Sequence, residues 1–184
     1  MTKPRDYYVR REHGSDRLSV EETLAQERFP IYAILDHIRS AHNVGSVFRT
    51  SDGANVAELF LCGYTAKPPH RHLAKTALGA SETVPWRGFE TVEEAIGAAR
   101  ELGCQVLAFE YEEDSVALYD YPCTFPVAIL VGNETNGLTP EVRALCDATV
   151  HLPMFGHKSS LNVSVAYGIA VYEIAQRYLA SMQQ

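Results

Sequence analysis

The chain has 184 residues, of which 46% are hydrophobic and 21% are charged, and its formal net charge at pH 7 is −7. This length favours one domain, or one domain with a short appendage, and the composition is typical of a globular protein. The acidic balance argues against binding of nucleic acid through bulk charge, although a local basic patch is compatible with it.

No apolar run reaches the roughly 18 residues of a membrane span, and the N-terminus lacks the apolar core of a signal peptide. We therefore expect a cytoplasmic protein without a membrane anchor. The four cysteines are far apart and form no CxxC pair, so we expect reduced thiols and no bound metal. They are Cys62, Cys104, Cys123 and Cys146.

The sequence predicts an N-terminal extension, residues 1–28, and a main domain, residues 29–184. Ser19 and Glu22 have the spacing of a capping box, which predicts a short helix through about Arg28. The β-branched and aromatic run from Phe29 to Asp36 predicts the first buried strand.

The middle of the chain alternates between strand and helix patterns. Val44, Val47, Phe48 and Ser51 share one helical face, and Gly53 suits the end of that helix. A strand is predicted over residues 57–62, a long loop over 63–81, a helix over 91–102, a strand over 105–109 and an acidic loop over 110–120.

The C-terminal third begins with an apolar strand over residues 126–131, and Thr139 and Pro140 then begin a helix. A strand over 148–152 precedes a final helix from about Ser160 to Met182. That helix carries an apolar stripe, which fits either the core or an interface. The stripe consists of Leu161, Val165, Ile169 and Tyr172.

This alternation predicts an α/β domain with a mainly parallel sheet between helical layers. In such sheets ligands bind beyond the carboxyl ends of the strands. The polar stretches after residues 36, 109, 131 and 152 follow strand ends, so we expect a ligand site there.

Two basic clusters interrupt the acidic chain, and each fits either solvated surface or a contact with a polyanion. The first cluster comprises Lys3, Arg5, Arg10, Arg11 and Arg17. The second comprises Lys67, His70, Arg71, His72 and Lys75.

Gly132 and Gly137 have the glycine spacing of a phosphate loop, but Leu138 and Thr139 replace the Lys-Ser/Thr pair that such a loop needs. The chain also has no GxGxxG fingerprint, so a nucleoside triphosphatase or a dinucleotide-dependent dehydrogenase is disfavoured. The loop is either a simple turn or a backbone cradle that presents one carboxylate, Glu134.

Pro153 ends the last strand, because proline cannot continue a central strand. Ser160, Asn162 and Ser164 then lie near the start of the final helix, where backbone N–H groups need acceptors. The arrangement fits ordinary helix capping, or the binding of an anion or a polar ligand. Arg49 likewise fits either a surface ion pair or the capture of a phosphate.

Three stretches, taken in order, resemble the signature motifs of the SpoU (TrmH) family of RNA ribose 2′-O-methyltransferases, within the SPOUT superfamily. Motif 1 is Asn43-x-Gly45-x-x-x-Arg49, and motif 2 is Gly132-x-Glu134-x-x-Gly137. Motif 3 is Leu152-Pro153 with Ser160-Leu161-Asn162-Val163-Ser164-x-Ala166. Their order and spacing match along roughly residues 30–180.

This resemblance implies a SPOUT fold, with a parallel sheet flanked by helices and a C-terminal trefoil knot. It also implies a homodimer with a site shared between protomers, and S-adenosylmethionine as cofactor. The cofactor would be held by backbone groups of Ala108, Phe109, Glu110, Gly132, Leu152 and Leu161.

The implied reaction is methyl transfer to a ribose 2′-hydroxyl of RNA, with tRNA as the expected substrate and rRNA as the alternative. Arginine stays protonated, so we expect Arg49 to grip a phosphate and stabilise alkoxide charge rather than act as a base. Asn43, Ser160 and Asn162 would orient Arg49 or the ribose, and Glu134 would orient its loop.

Two other classes of protein remain open at this point. The first is a non-catalytic RNA-binding or assembly module that keeps the fold, and the second is a generic α/β protein that binds a small anion near residues 152–164. The resemblance also leaves room for an accessory protein that helps to hold the RNA.

Overall fold

The structure is a computed structural model and describes residues 19–183. The first basic cluster, from Lys3 to Arg17, lies outside the described residues, as does most of the predicted extension.

The described residues form seven strands and seven helices. The strands are β1 (Phe29–Asp36), β2 (Val56–Cys62), β3 (Trp86–Phe89), β4 (Gln105–Phe109), β5 (Val116–Ala117), β6 (Val127–Val131) and β7 (Ala148–His151). The helices are α1 (Val20–Leu24), α2 (Ala41–Gly53), α3 (Arg71–Ala77), α4 (Ala80–Thr83), α5 (Val92–Glu101), α6 (Pro140–Ala144) and α7 (Val163–Ser181).

All seven strands form one sheet in the order β3-β2-β1-β6-β4-β7-β5, and every pairing is parallel. The α/β class with a parallel sheet is thereby confirmed. β6 lies between β1 and β4, and all five of its residues are buried, as expected for a central parallel strand. The carboxyl ends of the strands meet at one edge, where their following loops converge.

Helices cover both faces of the sheet. On one face, α2 and α7 bury side chains such as Phe48 and Tyr167 against the strands. On the other face, α5 and α6 bury Ile96 and Val142. Two separate apolar cores therefore fix the sheet between the helical layers.

Gly45 allows α3 to pack directly on α2. A Cβ atom at residue 45 would lie 2.2 Å from the carbonyl oxygen of Leu73 and 2.2 Å from Oγ1 of Thr76. Oγ1 of Thr76 also donates a hydrogen bond to the carbonyl oxygen of His42 at 2.8 Å. The glycine of motif 1 is therefore required by a close approach between helices.

A buried polar contact joins α2 to α7. Oγ of Ser51 and Oη of Tyr167 lie 2.7 Å apart, and both side chains are fully buried. Burial raises the pKa of Tyr167 far above its usual value, although the hydrogen bond between Tyr167 and Ser51 opposes this change. The phenol therefore stays neutral and fixes the two helices by a hydrogen bond.

Residues 63–81 are not the long loop that the sequence predicted, because they contain α3 and the start of α4. Only Leu73 and Ala77 of α3 are buried, so the helix has little apolar signal. The edge strand β3 was missed for a similar reason, since its four residues are half-buried or exposed. The two-residue strand β5 lies within the predicted acidic loop and exists through its pairing with β7.

Two predicted helix boundaries were also wrong. α1 ends at Leu24 rather than near Arg28. α7 begins at Val163, because the side chain of Asn162 caps it, so Ser160 and Leu161 precede the helix.

The predicted apolar stripe faces outwards. Val165, Ile169 and Tyr172 lie on α7 and are 51%, 40% and 45% exposed, and Leu161, which precedes the helix, is 41% exposed. The stripe is therefore outside the core of this protomer. Within residues 19–183, no helix is both long enough and apolar enough to span a bilayer.

Candidate active site

A cleft of about 510 Å³ opens at the carboxyl edge of the sheet, where β4, β6 and β7 end. Three chain segments line most of it, residues 109–112, 131–138 and 151–163. Five of the six residues expected to hold the cofactor line this cleft, namely Phe109, Glu110, Gly132, Leu152 and Leu161. The sixth, Ala108, is fully buried within β4 and does not line the cleft.

The loop of motif 2 closes on itself through its own backbone. The amide of Gly137 donates to the carbonyl oxygen of Asn133 at 2.9 Å, and Oδ1 of Asn133 accepts from the amide of Thr135 at 2.8 Å. A Cβ atom at Gly132 would lie 2.6 Å from the carbonyl carbon of Gly137. The glycine at position 132 is therefore required by the tight approach of the two ends of the loop.

Glu110 joins the end of β4 to this loop. Its Oε2 accepts a hydrogen bond from the amide of Leu138 at 3.2 Å, and its Oε1 accepts from the amide of Tyr111 at 3.2 Å. Gly137 has a φ of +63°, and a Cβ atom there would collide with the Glu110 carboxylate. This carboxylate therefore positions the loop from within the cleft.

Glu134 joins motif 2 to the start of α2. Its carboxylate accepts from the amide of Arg39 at 2.8 Å, the amide of Ser40 at 3.1 Å and Nδ2 of Asn43 at 2.9 Å. Partial burial raises the pKa of the Glu134 carboxyl, but these hydrogen bonds outweigh burial and leave the pKa below its usual value. Glu134 is therefore ionised at neutral pH and holds the N-terminus of α2 in place.

Asn162 joins motif 3 to motif 1. Its Oδ1 accepts from the amide of Ser164 at 3.0 Å and from the Ser164 hydroxyl at 2.7 Å, which caps α7. Its Nδ2 donates to Oδ1 of Asn43 at 3.2 Å. A continuous chain of hydrogen bonds thus runs from Asn162 through Asn43 to Glu134, and it contains one residue from each motif.

The structure places the remaining two candidate residues differently. Ser160 is exposed and lines the cleft. Arg49 is also exposed, but it does not line the cleft, and no ion pair or hydrogen bond of its side chain occurs within residues 19–183. One protomer therefore brings together Asn43, Glu134, Ser160 and Asn162 and leaves Arg49 outside the cleft.

Sequence reasoning missed three cleft residues. His151 contacts Oγ of Ser115 through Nδ1 at 2.8 Å, and its ring packs against that of Tyr111 with centroids 5.2 Å apart. Arg143 donates to the carbonyl oxygen of Leu138 and pairs with Glu112 at 2.7 Å. Tyr111 and His151 lie at strand ends, which is a usable signal, but nothing in the sequence marks Arg143.

The charges of the cleft favour a cationic ligand. Its lining contains the carboxylates of Glu110, Glu112 and Glu134, against the single guanidinium of Arg143, which pairs with Glu112. In the part of the chain that the structure describes, no group of three or more potential metal ligands is close enough to hold an ion.

Comparison with known proteins places the part of the chain that contains the three motifs in one family. Residues 30–172 match the model of the SpoU rRNA Methylase family. The chain is 33% identical over 164 residues to the 23S rRNA (guanosine-2′-O-)-methyltransferase RlmB of Vibrio parahaemolyticus, covering 88% of this chain and 65% of that protein. It is 32% identical over 156 residues to the tRNA (guanosine(18)-2′-O)-methyltransferase of Escherichia coli K12, covering 85% of this chain and 67% of that protein.

Among solved structures, the fold resembles that of an AdoMet-bound rRNA methyltransferase from Sinorhizobium meliloti. The TM-score is 0.75 and the identity is 31%, covering 89% of this chain and 62% of that chain. This chain thus spans about two thirds of the length of the curated relatives that it matches.

Proposed function

This chain belongs to the SpoU rRNA methylase family, and we propose on that basis that it is a cytoplasmic RNA ribose 2′-O-methyltransferase. The observation that carries the proposal is the hydrogen-bonded chain Asn162–Asn43–Glu134 beside the cleft. It joins one residue of each family motif at the carboxyl edge of the sheet, where α/β proteins bind ligands. The proposed catalytic unit is residues 29–184, preceded by an extension of residues 1–28.

The cleft suits S-adenosylmethionine, which carries a positive sulfonium. Its volume of about 510 Å³ lies within the usual range for small-molecule sites, and carboxylates outnumber cations in its lining. Backbone groups of Phe109, Glu110, Gly132, Leu152 and Leu161, which all line the cleft, would hold the cofactor. When bound, it would supply the methyl group, which leaves sulfur as the ribose oxygen forms its new bond to carbon.

The fold that we propose for this chain includes a C-terminal trefoil knot beside the cleft. The support is that motif 2, after β6, and the segment between β7 and α7 line the same cleft. In a knotted arrangement these segments would cross and hold each other around the cofactor.

We further propose a homodimer in which each site is completed by the partner. Arg49 is exposed and does not line the cleft of its own protomer. The outward apolar stripe of α7 provides a surface that association would bury, and large exposed apolar patches mark interaction sites. A symmetric dimer through α2 and α7 would bring Arg49 of one protomer towards the cleft of the other.

In this arrangement the side chains position the ribose and stabilise charge. A guanidinium is already protonated and cannot act as a base. Arg49 would therefore bind a phosphate of the RNA and stabilise the developing alkoxide. Asn43 and Asn162, held by each other, and Ser160 at the cleft would orient the ribose hydroxyl. Glu134 is already bonded to three donors, so its role is to position Asn43 and α2, and the hydroxyl proton would pass to solvent.

The substrate that we propose is tRNA, with rRNA as the second candidate. The two curated relatives act on these two RNAs, as their names state, and they are 32% and 33% identical to this chain. Both RNAs therefore belong in the test, together with any accessory protein that the reaction requires.

The test begins with calorimetric titration of the purified protein with S-adenosylmethionine. We expect micromolar binding at about one molecule per chain, followed by transfer of label from methyl-labelled cofactor to tRNA or rRNA. Binding without transfer to either RNA would favour a non-catalytic RNA-binding module. Binding of phosphate without S-adenosylmethionine would favour a simple anion-binding protein.

A further inference from the structure

The described arginines and lysines divide into those that pair with a carboxylate and those that do not. Four of the eleven described arginines and lysines are paired with carboxylates within 4.0 Å, namely Arg87, Arg100, Arg143 and Arg177. Arg100 lies on α5 and Arg143 on α6, on the sheet face opposite α2. In a chain with a net charge of −7, cations without carboxylate partners stand out, and several of them lie together around α2 and α3.

Five exposed basic residues lie on α3, at its N-cap and at the start of α2, and we call them the α3 basic surface. They are His42, His70, Arg71, His72 and Lys75. The rings of His42 and His72 have centroids 5.3 Å apart, and those of His70 and His72 are 5.9 Å apart. Among the described residues, none of the five forms an ion pair with a carboxylate.

Lys67 belongs to the same cluster in the sequence but not to this surface. Its Nζ donates to the carbonyl oxygen of Gly63 at 3.0 Å, and its stem packs over Gly88. Lys67 therefore makes local contacts only and is not part of the α3 basic surface. His42, which is distant in sequence, is part of that surface.

The α3 basic surface is rigidly connected to the site. His42 directly precedes Asn43, and its carbonyl oxygen accepts hydrogen bonds from Thr76 of α3 at 2.8 Å and from Ser46 at 3.0 Å. At Gly45 the two helices pack so closely that an added Cβ atom would lie 2.2 Å from the carbonyl oxygen of Leu73 in α3. A polyanion on this surface would therefore lie at a defined distance from Asn43 and the cleft.

We propose that the α3 basic surface binds the phosphodiester backbone of the RNA beside the nucleotide whose ribose enters the cleft. This inference rests on the proposed function and adds the place where the RNA is held. Arg71 and Lys75 supply permanent charge. His70 supplies the N–H group of its Nε2 as a donor, because its Nδ1 already accepts from the amide of Leu73. Such a local surface explains how an acidic chain can bind RNA.

The test compares the binding of total Escherichia coli tRNA by the wild type and three variants, across a range of salt concentrations. R71A/K75A removes the two permanent charges of the surface, and R71K/K75R keeps them. R100A removes a charge from α5 on the opposite face of the sheet, so it controls for the change in net charge.

We expect R71A/K75A to lose roughly tenfold in tRNA affinity at 0.1 M salt, with a salt slope shallower by about 1.4 to 1.8, because two phosphate contacts disappear. In methylation assays its KM for RNA should rise while kcat changes little. R71K/K75R and R100A should bind like the wild type, and all variants should keep wild-type affinity for S-adenosylmethionine.

Wild-type affinity of R71A/K75A for tRNA would overturn the inference, and so would an equal loss in R100A, which would indicate bulk charge alone. A change in the dimer–monomer equilibrium of R71A/K75A, with no change in RNA affinity, would instead assign the surface to a second copy of the chain. If the wild type itself bound neither tRNA nor rRNA, the proposed function would fail together with this inference.

Discussion

The side chain of Asn162 donates a 3.2 Å hydrogen bond to the side chain of Asn43, although 119 residues separate them. Asn162 caps α7, and Asn43 lies in the first turn of α2, where it also donates to Glu134 at 2.9 Å. This one contact therefore holds the N-termini of the two long helices together beside the cleft. Its energetic and catalytic consequences can be measured separately.

The contact predicts that Asn43 and Asn162 act as a unit. N43A and N162A should each cost about 1 kcal/mol of unfolding free energy, and each should reduce methylation strongly. In a double-mutant cycle measured by urea unfolding, the two losses should differ from additivity by about 0.5 kcal/mol or more. S46A, on the same helix, provides the control, and strict additivity of N43A and N162A would show that the asparagines act independently.

Glu134 predicts a pH dependence of stability. Its pKa in the folded protein lies below the usual value of 4.5, so the ionised form stabilises the fold above that pH. This contribution should be lost as the pH falls through the lowered pKa, because the unfolded chain then binds the proton more readily. The stability advantage of the wild type over E134Q, measured by urea unfolding, should be constant near neutrality and shrink below about pH 4.5. A difference that does not change down to pH 3 would refute the account.

Two helical glycines should respond in opposite directions to alanine. G45A should destabilise the protein by about 1 to 3 kcal/mol, because its Cβ atom would lie 2.2 Å from backbone and side-chain atoms of α3. G97A lies in the interior of α5 with no atom within 4 Å of the added Cβ, so it should stabilise by about 0.5 to 1 kcal/mol. If the urea midpoints of G45A and G97A shifted in the same direction relative to the wild type, this packing would be contradicted.

The closed loop of motif 2 makes a prediction about cofactor binding. In G132A the new Cβ atom would meet the backbone of Gly137, so the loop must open and S-adenosylmethionine should bind about tenfold more weakly, a loss of about 1.4 kcal/mol. The matched control is G156A, between cleft residues Met154 and Ser159, where an added Cβ meets nothing within 4 Å. Calorimetry that gives the same Kd for G132A and wild type would remove this loop from the cofactor site.

Arg49 should affect the reaction and not the binding of the cofactor, because its side chain lies outside the cleft of its own protomer. R49A should lower kcat by roughly 100-fold or more while the Kd for S-adenosylmethionine stays within a few-fold of the wild-type value. R100A on the opposite face is the control and should keep full activity.

The shared site can be tested with the same variant. A mixture of R49A and N162A protomers should recover about a quarter of wild-type activity, because half of the dimers would be mixed and each would carry one intact site. A mixture no more active than its components would show that each protomer works alone.

The sequence predicted those parts of the fold that depend on local pattern. β1 and β4 have the predicted bounds, Phe29–Asp36 and Gln105–Phe109, because each is built around a run of apolar residues. α3 and β3 were missed because each depends on its neighbours. α3 is held by the close approach to Gly45, and β3 pairs along the edge of β2.

In the candidate site, too, the sequence predicted the residues but not the contacts between distant segments. The motifs named Asn43, Glu134 and Asn162, but no local pattern could show that the three side chains are hydrogen-bonded, since that depends on how distant segments meet. The α7 stripe was equally compatible with core and interface, and its exposure excludes the core of this protomer. His42 joins the α3 basic surface only through helix packing, so the sequence assigned Lys67 to that cluster instead.

The most direct test of the central claim is mass spectrometry of the nucleosides from RNA that has been incubated with the protein and S-adenosylmethionine. We expect a single 2′-O-methylated nucleoside, and its rate of formation should fall by roughly 100-fold or more when R49A replaces the wild type. A methyl group on a base, or no methylated nucleoside from tRNA or rRNA despite bound cofactor, would contradict it.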